Sequence, residues 1–148
     1  MRIKTNLIFP TNEIIKKCGL DKGGKVQKHI DQFVLYHSDD YTPGKHINDS
    51  GRVGTKIGSG KVIWDSPDAH YLYEGKLMVD PITHKGAFFN PNYGFWSRPN
   101  TPKIYDPNGR KLEYHKGGKS GDHWFDRMID NEMDDLLEEI SKIVSDDK

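Results

Sequence analysis

The sequence predicts an α+β domain. It comprises a small antiparallel sheet with a hairpin near residues 52–65, packed against an N-terminal helix at about 21–39 and a long C-terminal amphipathic helix at about 122–144. Three observations carry this expectation. Val26, Ile30, Phe33 and Val34, with His37 or Tyr36, recur at spacings of three and four. Val53 to Ile57 and Lys61 to Trp64 are β-rich runs on either side of Gly58-Ser59-Gly60. From Trp124 onward, Phe125, Met128, Ile129, Met133, Leu136, Leu137, Ile140, Ile143 and Val144 form one apolar stripe opposite Asp126, Asp130, Asp134, Asp135, Glu138 and Glu139.

Taken in order, residues 3–9 read as an opening strand or arm ended by Pro10, so that residues 1–10 form a short N-terminal arm. Thr11 or Asn12 caps a brief helix through Cys18, stopped by Gly19, and Asp21 caps the helix after it. Tyr41-Thr42-Pro43-Gly44 is a turn by composition. Pro67 closes the 52–65 hairpin, Ala69 to Gly75 makes a short helix or strand, and Lys76 to Val79 is another short run. Residues 80–121 hold prolines at 81, 91, 99, 102 and 107 and read as a long loop, with strands through Ala87-Phe88-Phe89 and Gly94-Phe95-Trp96. A loop of that length in a compact domain is usually functional or flexible. Asp122 is placed to cap the last helix, with its charge where the helix dipole favours it.

With 148 residues the chain is expected to be one domain, and a hydrophobic content of 34% makes its core modest. The 15 glycines and 8 prolines exceed ordinary usage, but 3 Trp, 7 Tyr and 6 Phe are too many for a disordered chain. Formal charge is zero yet unevenly spread: residues 122–148 hold ten acidic against three basic residues, leaving twelve against nineteen in the body. Such polarity is ordinarily a solvated face. In a head-to-tail ring it also steers the acidic helix of one subunit onto the basic body of the next. No run of 18 apolar residues exists, so no membrane span is expected, and Leu7-Ile8-Phe9 is too short for a signal-peptide core. The lone Cys18 fits a reducing cytoplasm and a packing role.

The chemistry sought is not found. Seven histidines, among them His115 and His123 beside Asp122, include no His-Glu-x-x-His and no paired cysteines, so neither metal nor cofactor is expected. Gly60-Lys61 opens a strand rather than the helix a phosphate-binding loop needs. Ser50, Ser59 and Ser66 lack a nucleophile-elbow context, and no catalytic residue is assigned. The rival class is nucleic-acid binding, non-specific DNA contact included. Lys103, Arg110, Lys111, Lys116 and Lys119 sit among Tyr105, Tyr114 and His115, and cations interleaved with stacking aromatics hold single strands.

One resemblance spans most of the chain, from about Gly19 to about Ile143. In order, Tyr41-Thr42-Pro43-Gly44 and Ser50, then Gly58 to Pro67, Ala69 to Lys76 and His123-Trp124-Phe125 resemble a family of minor capsid proteins of tailed phages. The pattern is similar in turn to tail-completion, or head-tail joining, proteins of long-tailed phages. Two departures stand out. Gly44-Lys45-His46-Ile47 replaces a Thr-Gly-x-Leu element, where Ile47 fills a leucine-like slot, and Asp68 replaces an aromatic before Ala69. The resemblance implies a non-enzymatic virion component, made in the host cytoplasm and assembled as a ring at the head-tail neck. Its partners would be further copies of itself and other neck, head or tail proteins. On that basis the contact surfaces are the 80–119 loop, with Tyr93, Phe95, Trp96 and Arg98 as anchors, and the acidic helix face of Asp130, Asp134 and Glu138.

Overall fold

Helical spacing near residue 30 becomes helix α1 (Lys25–Ser38), which buries Val26, Phe33, Val34 and Leu35. The chain is described here from a computed structural model, over residues 16–146. The expected arm at 1–10 lies outside those residues, as does most of the brief helix before Gly19. Of the two alternatives for the end of the α1 face, His37 is the packing residue. Its ring stacks on Phe33 at 3.7 Å between centroids, while Tyr36 is exposed. Asp21 does not cap α1: Gly24 occupies the N-cap with no side-chain bond, and Asp21 contributes only its carbonyl, which accepts from the Gly24 N–H. Cys18 is half-buried.

The expected hairpin at 52–65 is replaced by other structure. Residues Lys45–Gly54 form helix α2, and residues 55–66 contain no strand. Two tertiary contacts override the local signals. Ile47, 0% exposed, anchors α2 in the core, and Gly51 passes so close to Trp64 that a Cβ there would sit 2.8 Å from its Nε1. The glycine loop, for its part, is organised by α1 rather than by a cross-strand ladder. The buried Asp31 carboxylate accepts from the Gly58 N–H at 2.7 Å and the Gly60 N–H at 3.2 Å, with its other oxygen held by Gln27. Thr55 ties the ends of the segment, its Oγ1 accepting from the Ile63 N–H at 2.9 Å. The 55–64 segment is thus shaped like a hairpin but bonded through side chains. A buried carboxylate offers those donors stronger bonds than a neutral carbonyl does.

Helix α3 (Ala69–Glu74) follows, ended by Gly75 in the left-handed region at φ 69°. A side chain at Gly75 is doubly excluded, since its Cβ would also lie 2.8 Å from the Asp122 carboxylate. Strands come next as two separate antiparallel pairs rather than one sheet. Strand β1 (Met78–Val79) pairs with β4 (Ile104–Tyr105), and β2 (Phe88–Asn90) pairs with β3 (Gly94–Trp96). The 80–121 span therefore holds three of the four strands among the described residues, β2 and β3 falling where the aromatic runs predict them.

Helix α4 (Trp124–Asp146) closes the fold. Asp122 is not its cap. The residue before the helix is His123, at φ 44°, whose carbonyl accepts from the Arg127 N–H, while the Asp122 carbonyl accepts from Arg127 Nε at 2.7 Å. Helix α4 lies antiparallel to α1, as the cross-pairs show: His29 meets Glu139 at 2.6 Å and His37 meets Glu132 at 3.2 Å. The core is this helical layer. Phe33, Val34, Tyr41, Ile47, Ala69, Trp124, Met128 and Leu136 cluster, with Trp64 and Tyr73 packed against them. Trp124 sits at the centre, 1% exposed, edge-on to Tyr73 at 4.7 Å and to Trp64 at 5.8 Å. Among the described residues, the strands contribute only Val79 to the buried apolar set. The fold is α+β, with its sheets outside the main core.

Candidate functional site

The β2–β3 hairpin carries aromatic residues on both faces because of its register. Phe88 pairs with Trp96 and Phe89 with Phe95. Directly opposed residues share a face of an antiparallel pair, so each couple forms a cross-strand aromatic contact. Phe88 and Trp96 stack at 4.8 Å, and Phe89 meets Phe95 at 5.1 Å. The turn is set by Asn90, whose Oδ1 accepts from the Asn92 N–H, and by Gly94 at φ 84°. Phe89 is 63% exposed, Tyr93 68% and Phe95 76%. Two-stranded hairpins are marginal in water by themselves, so this one depends on its base.

That base is electrostatic. Asp80 accepts from the N–H groups of Ile82 and Thr83, and Arg98 Nε donates to its other oxygen at 2.9 Å. The Arg98 guanidinium also lies 5.5 Å from the Phe88 ring centre. The Thr83 N–H first, then the Ile82 N–H and Arg98, hold the Asp80 carboxyl below the usual carboxylate range. Asp106 is lowered in the same way, chiefly by the bond from Arg110, whose Nη2 reaches back to the His84 carbonyl at 2.7 Å. Two Asp-Arg pairs therefore brace the 80–110 part of the loop.

Of the residues singled out in sequence, Tyr93, Phe95 and Trp96 come together on this hairpin. Arg98 lies beside them, paired with Asp80 and set against the Phe88 ring. Phe89 is the residue missed: it completes the most exposed pair, and the strand register alone would have found it. On α4, Asp130, Asp134 and Glu138 lie on the exposed face at successive turns, Glu138 pairing with Lys142 at 3.3 Å. The single stripe expected of α4 divides. Trp124, Met128 and Leu136 are buried, whereas Met133, Leu137 and Val144 are exposed beside the acidic residues.

The basic loop of the nucleic-acid reading is partly engaged within the subunit. Arg110 bonds Asp106 and His84, and Lys116 donates to the carbonyls of Asp39 and Thr42. Lys119 lies over the Tyr41 ring, Tyr105 lies under Lys76, and the Tyr114 hydroxyl donates to the Leu72 carbonyl at 2.5 Å. Among the described residues, no cluster of three or more His, Cys, Asp or Glu has the geometry to hold a metal ion. Likewise no helix among them is long and apolar enough to cross a membrane.

Helices α3 and α4 are clasped by Tyr73, whose hydroxyl donates to Asp126 at 2.8 Å. Burial, then this bond to a carboxylate, pushes the Tyr73 phenol up to about 12. A phenol whose pKa rises on folding favours the folded state while it is neutral. That contribution is whole below about pH 10, the ordinary tyrosine value, and is lost as pH rises through 12. Tyr73→Phe should therefore flatten the loss of stability above pH 10 in chemical denaturation and remove a late-titrating phenol from the tyrosinate absorbance curve. An unchanged curve would refute the clasp.

Compared with protein-family models, with curated proteins and with solved structures, the chain matches none.

Proposed function

We propose that the protein is a structural component of a tailed-phage virion, a minor capsid or neck protein that joins head and tail by assembling into a ring. Its partners are further copies of itself and neighbouring neck, head or tail proteins. It acts by presenting surface and catalyses no reaction. The observation that carries this reading is the β2–β3 hairpin: Phe89 and Phe95 are held in a defined register with Tyr93 in the turn between them, yet all three are exposed. A subunit pays a solubility cost for such a patch, and an interface is what relieves it. The resemblance of its ordered motifs to those of phage minor capsid proteins supports the same reading. So does the polarity of the chain, acidic along α4 and basic through the body. Within the 103–119 loop Arg110 is paired with Asp106 and Lys116 is tied to the Asp39 and Thr42 carbonyls, so these two are not the free cations the nucleic-acid reading supposes.

Gold labelling of the protein in purified tailed particles tests the assignment. Label at the junction of head and tail is expected. Label spread over the head shell, or particles free of the protein, would overturn it.

A further inference from the structure

A groove of about 530 Å³ lies between α3 and the β1–β4 pair, separate from the aromatic hairpin. Tyr71, Leu72, Leu77 and Met78 give it an apolar lining, and Lys76 and Lys103, both exposed, flank it. Asp68 also borders it, but its carboxylate is taken by His46 at 2.9 Å and by the Ser66 hydroxyl. The groove is thus apolar at its centre and net positive at its margin.

The same chain carries the complementary surface. Met133, Leu137 and Val144 stay exposed on α4 at spacings of four and seven, which places them along one line of the helix. Asp130 and Asp134, one turn apart, border that line on its solvent side, and no ion pair or hydrogen bond of their side chains occurs among the described residues. An amphipathic helix with apolar anchors at this spacing is what apolar grooves receive. The acidic margin matches the two lysines.

We infer that the groove receives the α4 stripe of a second copy of this chain, Met133 and Leu137 entering against Leu72, Leu77 and Met78, with Lys76 and Lys103 meeting Asp130 and Asp134. The inference rests on the ring reading and names one of its contacts. A molecule does not fill its own groove in this way. Tyr73 of α3 grips the start of α4 through Asp126 and Trp124, and Leu137 lies about 20 Å further along the helix at 1.5 Å per residue. Two different surfaces therefore meet, and a heterologous contact repeats from copy to copy until it closes.

Charge exchange tests this. One variant carries Lys76→Glu and Lys103→Glu, the other Asp130→Lys and Asp134→Lys, both checked for native circular dichroism. Each alone should self-associate roughly tenfold or more weakly than the unaltered chain in sedimentation equilibrium. The two mixed should recover association, because every groove then faces an oppositely charged helix. Failure of the mixture to recover would overturn the inference. So would a loss caused by only one variant, which indicates a like-on-like contact, or an unaltered chain that is monomeric alone and with its virion partners. If both variants assemble normally while hairpin substitutions abolish assembly, this groove contact is wrong and the neck reading stands.

Discussion

Trp124→Ala should destabilise the protein by about 3–5 kcal/mol, the range for removing a large aromatic from a core. That is a large part of the roughly 5–15 kcal/mol on which a domain of this size stands. The reason is position. Trp124 is 1% exposed and is the first residue of α4, touching Trp64 from the 55–66 segment and Tyr73 from α3 edge-on. Each edge-to-face pair adds about 0.5–1.5 kcal/mol beyond burial, so the cavity would loosen three elements together. Urea denaturation followed by circular dichroism measures the loss. A change within about 0.5 kcal/mol, the ordinary surface-substitution scale, would contradict the central place given to this residue.

Phe89→Ser with Phe95→Ser should do the reverse, leaving stability almost unchanged and removing assembly. The pair touches chiefly itself across the hairpin, whose base is held by Asp80, Arg98 and Arg110. Truncating an aromatic interface anchor costs about 2 kcal/mol or more, which is roughly thirtyfold in affinity. The expected result is a folded subunit with native circular dichroism that no longer enters the complex. Loss of fold would instead make Phe89 and Phe95 packing residues. Trp96→Ala belongs to the same test, with a smaller loss of assembly expected because Trp96 stacks on Phe88 and is less exposed.

What was legible in the sequence follows from how local each signal is. Helix α4 was readable because ten apolar residues keep one period over more than twenty positions, which tertiary context seldom overturns. The exposed half of its stripe was not readable. Met133 and Leu137 fit the same period as Leu136, and only the position of α1, fixed by His29 and His37 against Glu139 and Glu132, decides which are covered. Helix α2 was hidden because Gly51, Gly54, Asn48, Asp49 and Ser50 are poor helix formers. Its cause is distant: Ile47 seated in the core and Gly51 against Trp64. The hairpin read into 52–65 had the right turn residues but lacked information about Asp31, an α1 carboxylate that takes the donors a ladder would have used. In the candidate site, Tyr93, Phe95 and Trp96 were visible as an aromatic cluster between turn residues. The tie of Arg98 to Asp80 was not legible because eighteen positions separate them, and Phe89 becomes notable only once the register pairs it with Phe95.

Absolute mass by light scattering after size exclusion, on the protein alone and mixed with head and tail components of the virion, tests the neck assignment most directly. A closed oligomer of defined mass, alone or on addition of one such component, is the predicted result. A monomer that ignores every virion component would contradict it.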